Sequence, residues 1–367
     1  MFKHLIPCMM IISYNTCYAD CVVCPENTRV IFVNNSNSAI GNGTLVNPYH
    51  DLLFALSQSN PCDVIYVFPG SGPYDGFFQL QDNQRLLGTT AEAFELCPED
   101  ALCMTPTLQN SADGGAVVRI FNNNQVSGFN IICNDEAGIG GGVFMMGDMP
   151  IANALITDNH FFISNNANGI LFNENPSLGT VNISNCSFVA TDASDTNGVL
   201  LIQSGGTDIE IANNIFSASN NTSGLHQGFL VLNPVLHTSY SIHDNQFFSQ
   251  VNSSVAIGFS TGDAFGSQSI AIINNFVDYS SNSATNVGIG SLNLVNAGTC
   301  CVTLLHNTVL TPVPVPGYVM WNGASNPFLL NFDNSNKGTL TINGPDPSLS
   351  VPPPSPFTPV ILTTDCN

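Results

Sequence analysis

A segment of about six residues recurs six times between residues 156 and 309, once in every thirty residues or so. Each copy contains an aliphatic residue, a variable residue, two polar residues, another variable residue, and then Phe or Val. The second polar position is occupied by Asn159, Cys186, Asn214, Asn245, Asn275 and Asn307, at spacings of 27 to 32 residues. Repetition at such a period is typical of chains whose structural units stack on one another.

A second column of short apolar segments precedes these copies, and most of its members open with glycine, as in Gly169-Ile-Leu-Phe172 and Gly198-Val-Leu-Leu-Ile202. Each period therefore holds at least two short strands separated by Asn, Ser and Gly turns. This pattern predicts an all-β fold, a parallel β-helix whose coils stack about 4.8 Å apart. Leucine-rich repeats are shorter, and propeller blades are longer and carry four strands each.

Stacking of the coils gives each repeated position a structural role. We expect the second polar position to form a ladder of side-chain hydrogen bonds, with Cys186 as a small buried residue in it. The position two residues later should stack in the core, where the first four copies carry Phe161, Phe188, Phe216 and Phe247.

The region before the repeats predicts the entry to this solenoid. Strands are expected at 29–33 and 63–68. Between them, Asn47 is the expected cap of a short helix that begins at Pro48. Tyr49, Leu52, Leu53 and Leu56 would form its apolar face, which would shield the open end of the core, as repeat proteins require.

The opening of the chain resembles that of secreted bacterial proteins of the pectin-lyase-like superfamily. The matching residues are Gly41-x-Gly-Thr44, Asn47-Pro48-Tyr49, Asp63-Val-Ile-Tyr-Val67 and Pro69-Gly70. The resemblance covers roughly residues 29–345 and implies a right-handed β-helix with a short N-terminal capping helix. It does not imply one activity, because this fold hosts lyases, hydrolases, esterases, epimerases, tailspikes and adhesins.

A narrower and weaker similarity is to the chlamydial polymorphic outer-membrane adhesins. Phe-x-x-Asn occurs five times, and Gly140-Gly-Gly-Val143 is similar to a Gly-Gly-Ala-Ile motif of that family.

The termini predict export and a non-repetitive tail. Lys3, a short apolar run and Cys17-Tyr-Ala19 are typical of a cleaved signal peptide over residues 1–19. The β-helix domain is then expected over 20–345, and a Pro-rich tail over 346–367. No other stretch approaches 18 apolar residues, so we expect no transmembrane span in the mature chain and a secreted or cell-envelope location.

Ten cysteines remain after the predicted cleavage, an even number that favours disulfides in an exported protein. Cys97 and Cys103 bracket a short loop and are the best local pair. Cys21 and Cys24 are candidates for a staple of the mature N-terminus, with a redox dithiol as the alternative.

Charge excludes several functions. The chain has 5 Lys and Arg against 26 Asp and Glu, a net charge of −21, which argues against nucleic-acid binding and favours a neutral or cationic partner. No Lys or Arg lies between Arg119 and Lys337. The basic residues of pectate lyases, polygalacturonases and pectin methylesterases therefore have no counterpart in the repeats.

The acidic residues are compatible with glycosidase activity, because two suitably spaced carboxylates suffice for that chemistry. Asp208 and Glu210 lie on one face of a predicted strand, and Asp192 and Asp244 are further weak candidates. We expect His243 and Asp244 to point to opposite faces, since side chains alternate along a strand. No cofactor is expected, although acidic turns make calcium a candidate.

Two functions therefore remain. The favoured hypothesis is a non-catalytic binding or adhesion module for a glycan or a host-surface protein. The alternative is a polysaccharide-cleaving hydrolase or lyase with a carboxylate site on the solenoid face. A purely structural module of an envelope assembly is a third interpretation.

Overall fold

The computed structural model describes the regular part of the chain and leaves out both ends and many of the turns. The described residues are 24, 28–89, 104–112, 115–134, 140–146, 151–173, 178–191, 196–202, 206–218, 226–232, 239–249, 254–261, 268–279, 287–294, 300–310, 318–321, 328–332, 335–338 and 340–343. The predicted signal peptide, the Pro-rich tail, Cys21, Cys97, Cys103 and Asp192 lie outside these residues.

Three parallel sheets form a β-solenoid, which confirms the predicted all-β parallel β-helix. The eleven-stranded sheet contains β1 (Val30–Val33), β2 (Val64–Val67), β5 (Arg85–Gly88), β8 (Asn124–Ser127), β11 (Ile151–Thr157), β14 (Leu178–Ser184), β17 (Gly206–Ala212), β20 (Ser239–His243), β23 (Gln268–Ile273), β26 (Cys300–Leu305) and β29 (Phe328–Phe332). The nine-stranded sheet contains β3 (Tyr74–Asp75), β6 (Thr107–Gln109), β9 (Asn130–Asn134), β12 (His160–Ser164), β15 (Ser187–Ala190), β18 (Ile215–Ala218), β21 (Gln246–Ser249), β24 (Phe276–Asp278) and β27 (Thr308–Leu310). The ten-stranded sheet contains β4 (Phe78–Gln79), β7 (Val118–Arg119), β10 (Gly141–Met146), β13 (Asn168–Asn173), β16 (Thr196–Ile202), β19 (His226–Leu232), β22 (Ser254–Thr261), β25 (Val287–Leu294), β28 (Tyr318–Trp321) and β30 (Leu340–Asn343).

The core consists of columns of like residues in register. Phe161, Phe188, Phe216 and Phe247 pair in sequence across β12, β15, β18 and β21. Their rings stack at centroid distances of 4.7 Å with interplanar angles of 3° to 6°. All four side chains are at most 5% exposed, so the column is a continuous apolar spine of the solenoid.

A two-residue corner joins each of the strands β11, β14, β17, β20, β23 and β26 of the eleven-stranded sheet to the following strand of the nine-stranded sheet. The first corner residue has a left-handed backbone, with φ between 54° and 58°, at Asp158, Asn185, Asn213, Asp244, Asn274 and His306. Short polar side chains tolerate this conformation better than most others, which accounts for the Asn and Asp in the first polar position of the repeat.

The second corner residue forms the buried ladder. The Nδ2 of Asn214 donates to Asn245 Oδ1, and that of Asn245 donates to Asn275 Oδ1, both at 3.0 Å. Asn307 continues the ladder to Asn336, a position outside the six copies noticed in the sequence. Cys186 occupies a ladder position at 2% exposure and is not in a disulfide.

One short helix, α1 (Leu52–Ser57), packs against β1, β2 and β4 at the N-terminal end. The predicted start at Asn47 and Pro48 is wrong, because the Asp51 side chain accepts from Phe54 N at 2.6 Å and caps the helix there. The buried residues of the helix are Leu52, Ala55 and Leu56, whereas Leu53 is 43% exposed.

A disulfide joins Cys24 to Cys62, across a sequence separation of 38 residues. The predicted candidate Cys24 is therefore paired, but with a residue that the sequence did not single out, and not with Cys21. Within the described residues, no helix is both long enough and apolar enough to cross a membrane.

Candidate functional site

The outer faces of the three sheets differ in chemistry, and this difference locates the candidate binding surface. From β8 onward the eleven-stranded sheet carries mainly polar residues, such as Thr180, Asn182, Asp208 and Glu210, whereas its first three strands carry an apolar cluster around Tyr66. The ten-stranded sheet carries an apolar cluster around Leu200 that is buried. The nine-stranded sheet carries apolar and polar side chains together, and none of those on its outer face from β9 to β27 is buried.

Seven successive strands of the nine-stranded sheet each present one apolar side chain and at least one polar side chain outward. We call this surface the comb. From β9 to β27 its pairs are Ile132 with Asn130, Phe162 with His160, Val189 with Ser187, Ile215 with Ser217, Phe248 with Gln246, Phe276 with Asp278, and Leu310 with Thr308. Six steps of about 4.8 Å give the comb a length of about 29 Å along the solenoid axis.

The apolar members of the comb are accessible. Phe162 is 39% exposed, Ile215 is 44% and Phe248 is 38%. The rings of Phe248 and Phe276 are in contact, with centroids 5.9 Å apart. Exposed apolar residues aligned in this way are typical of an interaction site, whereas singly scattered ones are not.

A second polar feature, which we call the polar chain, crosses the neighbouring face of the eleven-stranded sheet. It consists of Ser184, Asn182, Glu210, His243, Asp244 and Asn274. Asn182 Nδ2 donates to Glu210 Oε2 at 2.6 Å, and the other oxygen of Glu210 lies 3.2 Å from His243 Nε2. The Nδ1 of His243 lies 2.7 Å from Asp244 Oδ2, and Asn274 donates to the second oxygen of Asp244.

The prediction that His243 and Asp244 point to opposite faces is wrong. Strand alternation does not extend to Asp244, because β20 ends at His243 and Asp244 is the left-handed corner residue with a φ of 58°. The corner turns the carboxylate back toward the imidazole. Two of the sequence candidates, Glu210 and Asp244, are thereby brought together through His243.

The two carboxylates affect the protonation of His243. Burial lowers the pKa of the imidazole, but the hydrogen bonds and charges of Asp244 and Glu210 together outweigh it and raise the pKa above 6.5. The hydrogen bonds from His243 and Asn274 lower the pKa of Asp244 below 3.8. Both ring nitrogens of His243 are occupied by carboxylates, so this histidine has no nitrogen directed at a substrate.

The carboxylate pair is also poorly arranged for glycoside hydrolysis. An inverting glycosidase needs a gap of about 6.5–9.5 Å between its carboxylates, with room for a water molecule. Here the imidazole of His243 fills the space between Glu210 and Asp244. Asp208 is exposed and lies two residues before Glu210 on the same strand. Within the described residues, no three His, Cys, Asp or Glu side chains are grouped to hold a metal ion, and a calcium site stays a sequence-based prediction.

The comb could not be recognised as a column in the sequence. Its apolar member occupies the first outward position in β18 and β24, and the second outward position in the other five strands. A search for one conserved column therefore misses it. The usable signal is that each pair of outward positions holds one apolar and one polar residue, which requires the strand register to be known.

Comparison with known proteins does not assign a family to this chain. No family model matches it, and no curated protein sequence matches it. Among solved structures, it is similar to the native GH136 lacto-N-biosidase from Eubacterium ramulus, with 12% identity and a TM-score of 0.39, over 86% of this chain and 68% of that chain. The selenomethionine derivative of the same enzyme gives 10% identity and a TM-score of 0.32, over 86% of this chain and 67% of that chain. The geometry of the chain itself shows a β-helix fold with the comb on one face.

Proposed function

We propose that this protein is an exported or cell-surface binding module and that its comb recognises a neutral glycan. The observation that carries the proposal is the pairing of an outward apolar side chain with an outward polar side chain on each of seven stacked strands, four of the apolar side chains being exposed. A binding surface built in this way suits a ligand that is itself a repeating polymer lying along the solenoid axis.

The chemistry of the comb matches that of sugar rings. Each ring of a neutral polysaccharide has an apolar face of C–H groups and an edge of hydroxyl groups. Phe162, Phe248 and Phe276 supply flat apolar surface, and His160, Gln246 and Asp278 supply hydrogen-bonding groups beside them. Aromatic side chains contribute a large apolar contact surface, and polar groups placed beside them fix the orientation of a ligand.

Charge narrows the ligand class. The chain has a net charge of −21, and no Lys or Arg lies between residues 119 and 337, the stretch that includes the whole comb from Asn130 to Leu310. A polyanionic glycan would be repelled by this field and would find no cationic partner on the comb. A neutral glycan avoids both costs.

Binding is favoured over cleavage by the arrangement of the carboxylates. Glu210 and Asp244 are engaged by Asn182, His243 and Asn274, so they act as hydrogen-bond acceptors that tie adjacent coils together. This arrangement supports a scaffold role for the polar chain.

The test is retention of the protein on immobilised neutral and acidic polysaccharides, with a double variant Phe162→Ser/Phe248→Ser. We expect the wild type to bind at least one neutral polysaccharide and the variant to lose at least about tenfold in affinity. Leu155→Ser is the matched control, because Leu155 is 37% exposed on the eleven-stranded sheet, away from the comb.

Two results would contradict the proposal. One is that no neutral glycan retains the protein, and the other is that the control loses as much affinity as the comb variant. Release of reducing ends, or of unsaturated products absorbing near 235 nm, would instead support cleavage. That result would direct mutagenesis to Asp208→Asn and Glu210→Gln.

A further inference from the structure

Apolar and polar side chains alternate from strand to strand over the last five strands of the comb, β15 to β27. In chain order, the first outward position of these strands holds Ser187, Ile215, Gln246, Phe276 and Thr308. The second outward position holds Val189, Ser217, Phe248, Asp278 and Leu310. Each position therefore switches between polar and apolar at every strand, and the two positions switch in opposite order. We call these ten side chains the checkerboard.

The register of the sheet places these side chains in two straight rows. Ile215 pairs with Ser187 on one side and with Gln246 on the other. All ten point away from the core, because the residue between the two positions of each strand is buried, as Phe216 and Phe247 are. With strands about 4.8 Å apart, the apolar surface crosses from one row to the other and back about every 9.6 Å.

We propose, building on the proposed glycan-binding function, that the checkerboard selects neutral polysaccharides whose rings are joined by β-1,4 bonds through equatorial positions. Such bonds give an extended ribbon in which each ring is turned over relative to its neighbours. The hydroxymethyl group and the ring hydroxyls of the opposite edge therefore exchange sides at every ring. One ring of the ribbon is about as long as the 4.8 Å step between strands, so each strand faces one ring.

The alternation of the side chains follows the alternation of the rings. Ile215 and Phe276 support one side of the ribbon, and Phe248 between them supports the other side. The rings of Phe248 and Phe276 are in contact across the two rows, with centroids 5.9 Å apart, so the apolar surface is continuous along the diagonal. An α-1,4-linked glucan curves into a helix and leaves this straight path after a few rings.

A cavity beside the second row offers space for a substituent of the ribbon. Ser217 and Phe248 of the checkerboard line this cavity, together with the small side chains of Ala190 and Ala218. Among the described residues that line it, none carries a charged side chain. A hydroxymethyl group is neutral and small, and it projects to this side of the ribbon once in every two rings.

The experiment measures the affinity of the full chain for soluble pentasaccharides by titration calorimetry. The probes are cellopentaose and mannopentaose, which are β-1,4-linked, and maltopentaose, which is α-1,4-linked. We expect at least one β-1,4-linked probe to bind about tenfold more tightly than maltopentaose, because only a ribbon presents alternate edges to alternate strands.

An exchange of two side chains tests the alternation itself. Ile215→Ser/Ser217→Ile keeps the composition but aligns the apolar side chains of β15, β18 and β21 in one row, and it should abolish the preference. The matched control, Asn130→Ile/Ile132→Asn, makes the same kind of exchange on β9, outside the checkerboard, and should retain the preference. Circular dichroism checks that each variant is folded.

The failure of this inference is distinguishable from the failure of the glycan-binding function. Binding of maltopentaose as tightly as both β-1,4-linked probes would overturn the inference and leave the glycan-binding function in place. A preference that survives the exchange on β18, or that is lost equally in the control on β9, would also overturn it. Binding of no neutral polysaccharide and no pentasaccharide would contradict the glycan-binding function, and the inference with it.

Discussion

Gly198 lies so close to the ring of Phe216 that a Cβ atom built on the glycine would come within 2.5 Å of Cδ1 of the phenylalanine. Gly169 has the same relationship to Phe188, and Gly228 has it to Phe247. The glycine column of the ten-stranded sheet therefore leaves the space that the stacked Phe rings and the backbone oxygens of the next coil occupy. The two columns are one packing unit, although they lie on different strands of each coil.

The first prediction concerns this contact. Gly198→Ala should lower the free energy of unfolding by about 1–3 kcal/mol, because the Phe216 ring is held between Phe188 and Phe247 and cannot move along the stack. Urea unfolding followed by circular dichroism measures the change. Gly72→Ala is the matched control, since a Cβ there meets nothing within 4 Å, and equal losses in both variants would contradict the packing argument.

The sequence predicted those features that repeat with the coil. Asn245, Phe247 and their equivalents recur because each coil has the same packing environment at these positions. The fold and the composition of its core therefore follow from the periodicity of the sequence. Non-repeating contacts could not be predicted in this way. The helix is capped by Asp51 and not by Asn47, because the Asp51 side chain accepts a hydrogen bond from Phe54 N. Asn47 instead pairs with Thr44 in an isolated bridge.

The candidate site depended on geometry that a linear pattern does not contain. The contact between His243 and Asp244 requires the left-handed corner, and the contact between His243 and Glu210 requires the register of β17 with β20. The pairing of Cys24 with Cys62 likewise depends on how the first coil closes. Spacing alone offered only the nearer pairs of cysteines.

The second prediction tests the ladder. Asn245 accepts hydrogen bonds from the backbone and side chain of Asn214, and its own amide donates to Ile211 O and to Asn275. Asn245→Ala would leave several of these buried groups unpaired, at about 1–3 kcal/mol each. We expect a loss of several kcal/mol in urea unfolding.

The matched control for the ladder is Gln246→Ala. Gln246 follows Asn245 directly but is exposed, so its replacement should change the stability by less than about 0.5 kcal/mol. If Asn245→Ala were as mild as this control, the ladder would contribute little to the stability of the solenoid.

The third prediction concerns the one ladder position without asparagine. The Cys186 thiol is buried, with its pKa raised to about 12, and it is a weak hydrogen-bonding group. The backbone N–H of Cys186 already donates to Asn214 Oδ1 at 2.9 Å, as in the other rungs. Cys186→Asn should therefore complete the ladder and raise the stability by about 1 kcal/mol.

Thermal unfolding of the Cys186→Asn variant measures this gain. Cys133→Asn is the control, because Cys133 is also a free and buried cysteine but lies outside the ladder. That control should destabilise the protein. A lower unfolding temperature for Cys186→Asn would show that the cavity at this rung is shaped for the thiol.

The last prediction concerns the polar chain and pH. In the folded protein, Asp244 and Glu210 raise the pKa of His243 above 6.5 against the opposing effect of burial. Protonation of His243 therefore stabilises the folded state relative to the unfolded state. The resulting stability is fully present below pH 6.5 and is lost as the pH rises through the folded pKa. The pKa of Asp244 is lowered below 3.8, so its contribution is present above that value and is lost as the pH falls through the folded pKa. The two effects coincide between about pH 3.8 and 6.5.

Unfolding temperatures of the wild type and His243→Gln should therefore differ most near pH 5.5 and converge near pH 9. His160→Gln is the control, because His160 is exposed on the comb and contacts Ser187 instead of a carboxylate. A difference between wild type and His243→Gln that stays constant with pH would show that His243 acts through packing and not through its charge.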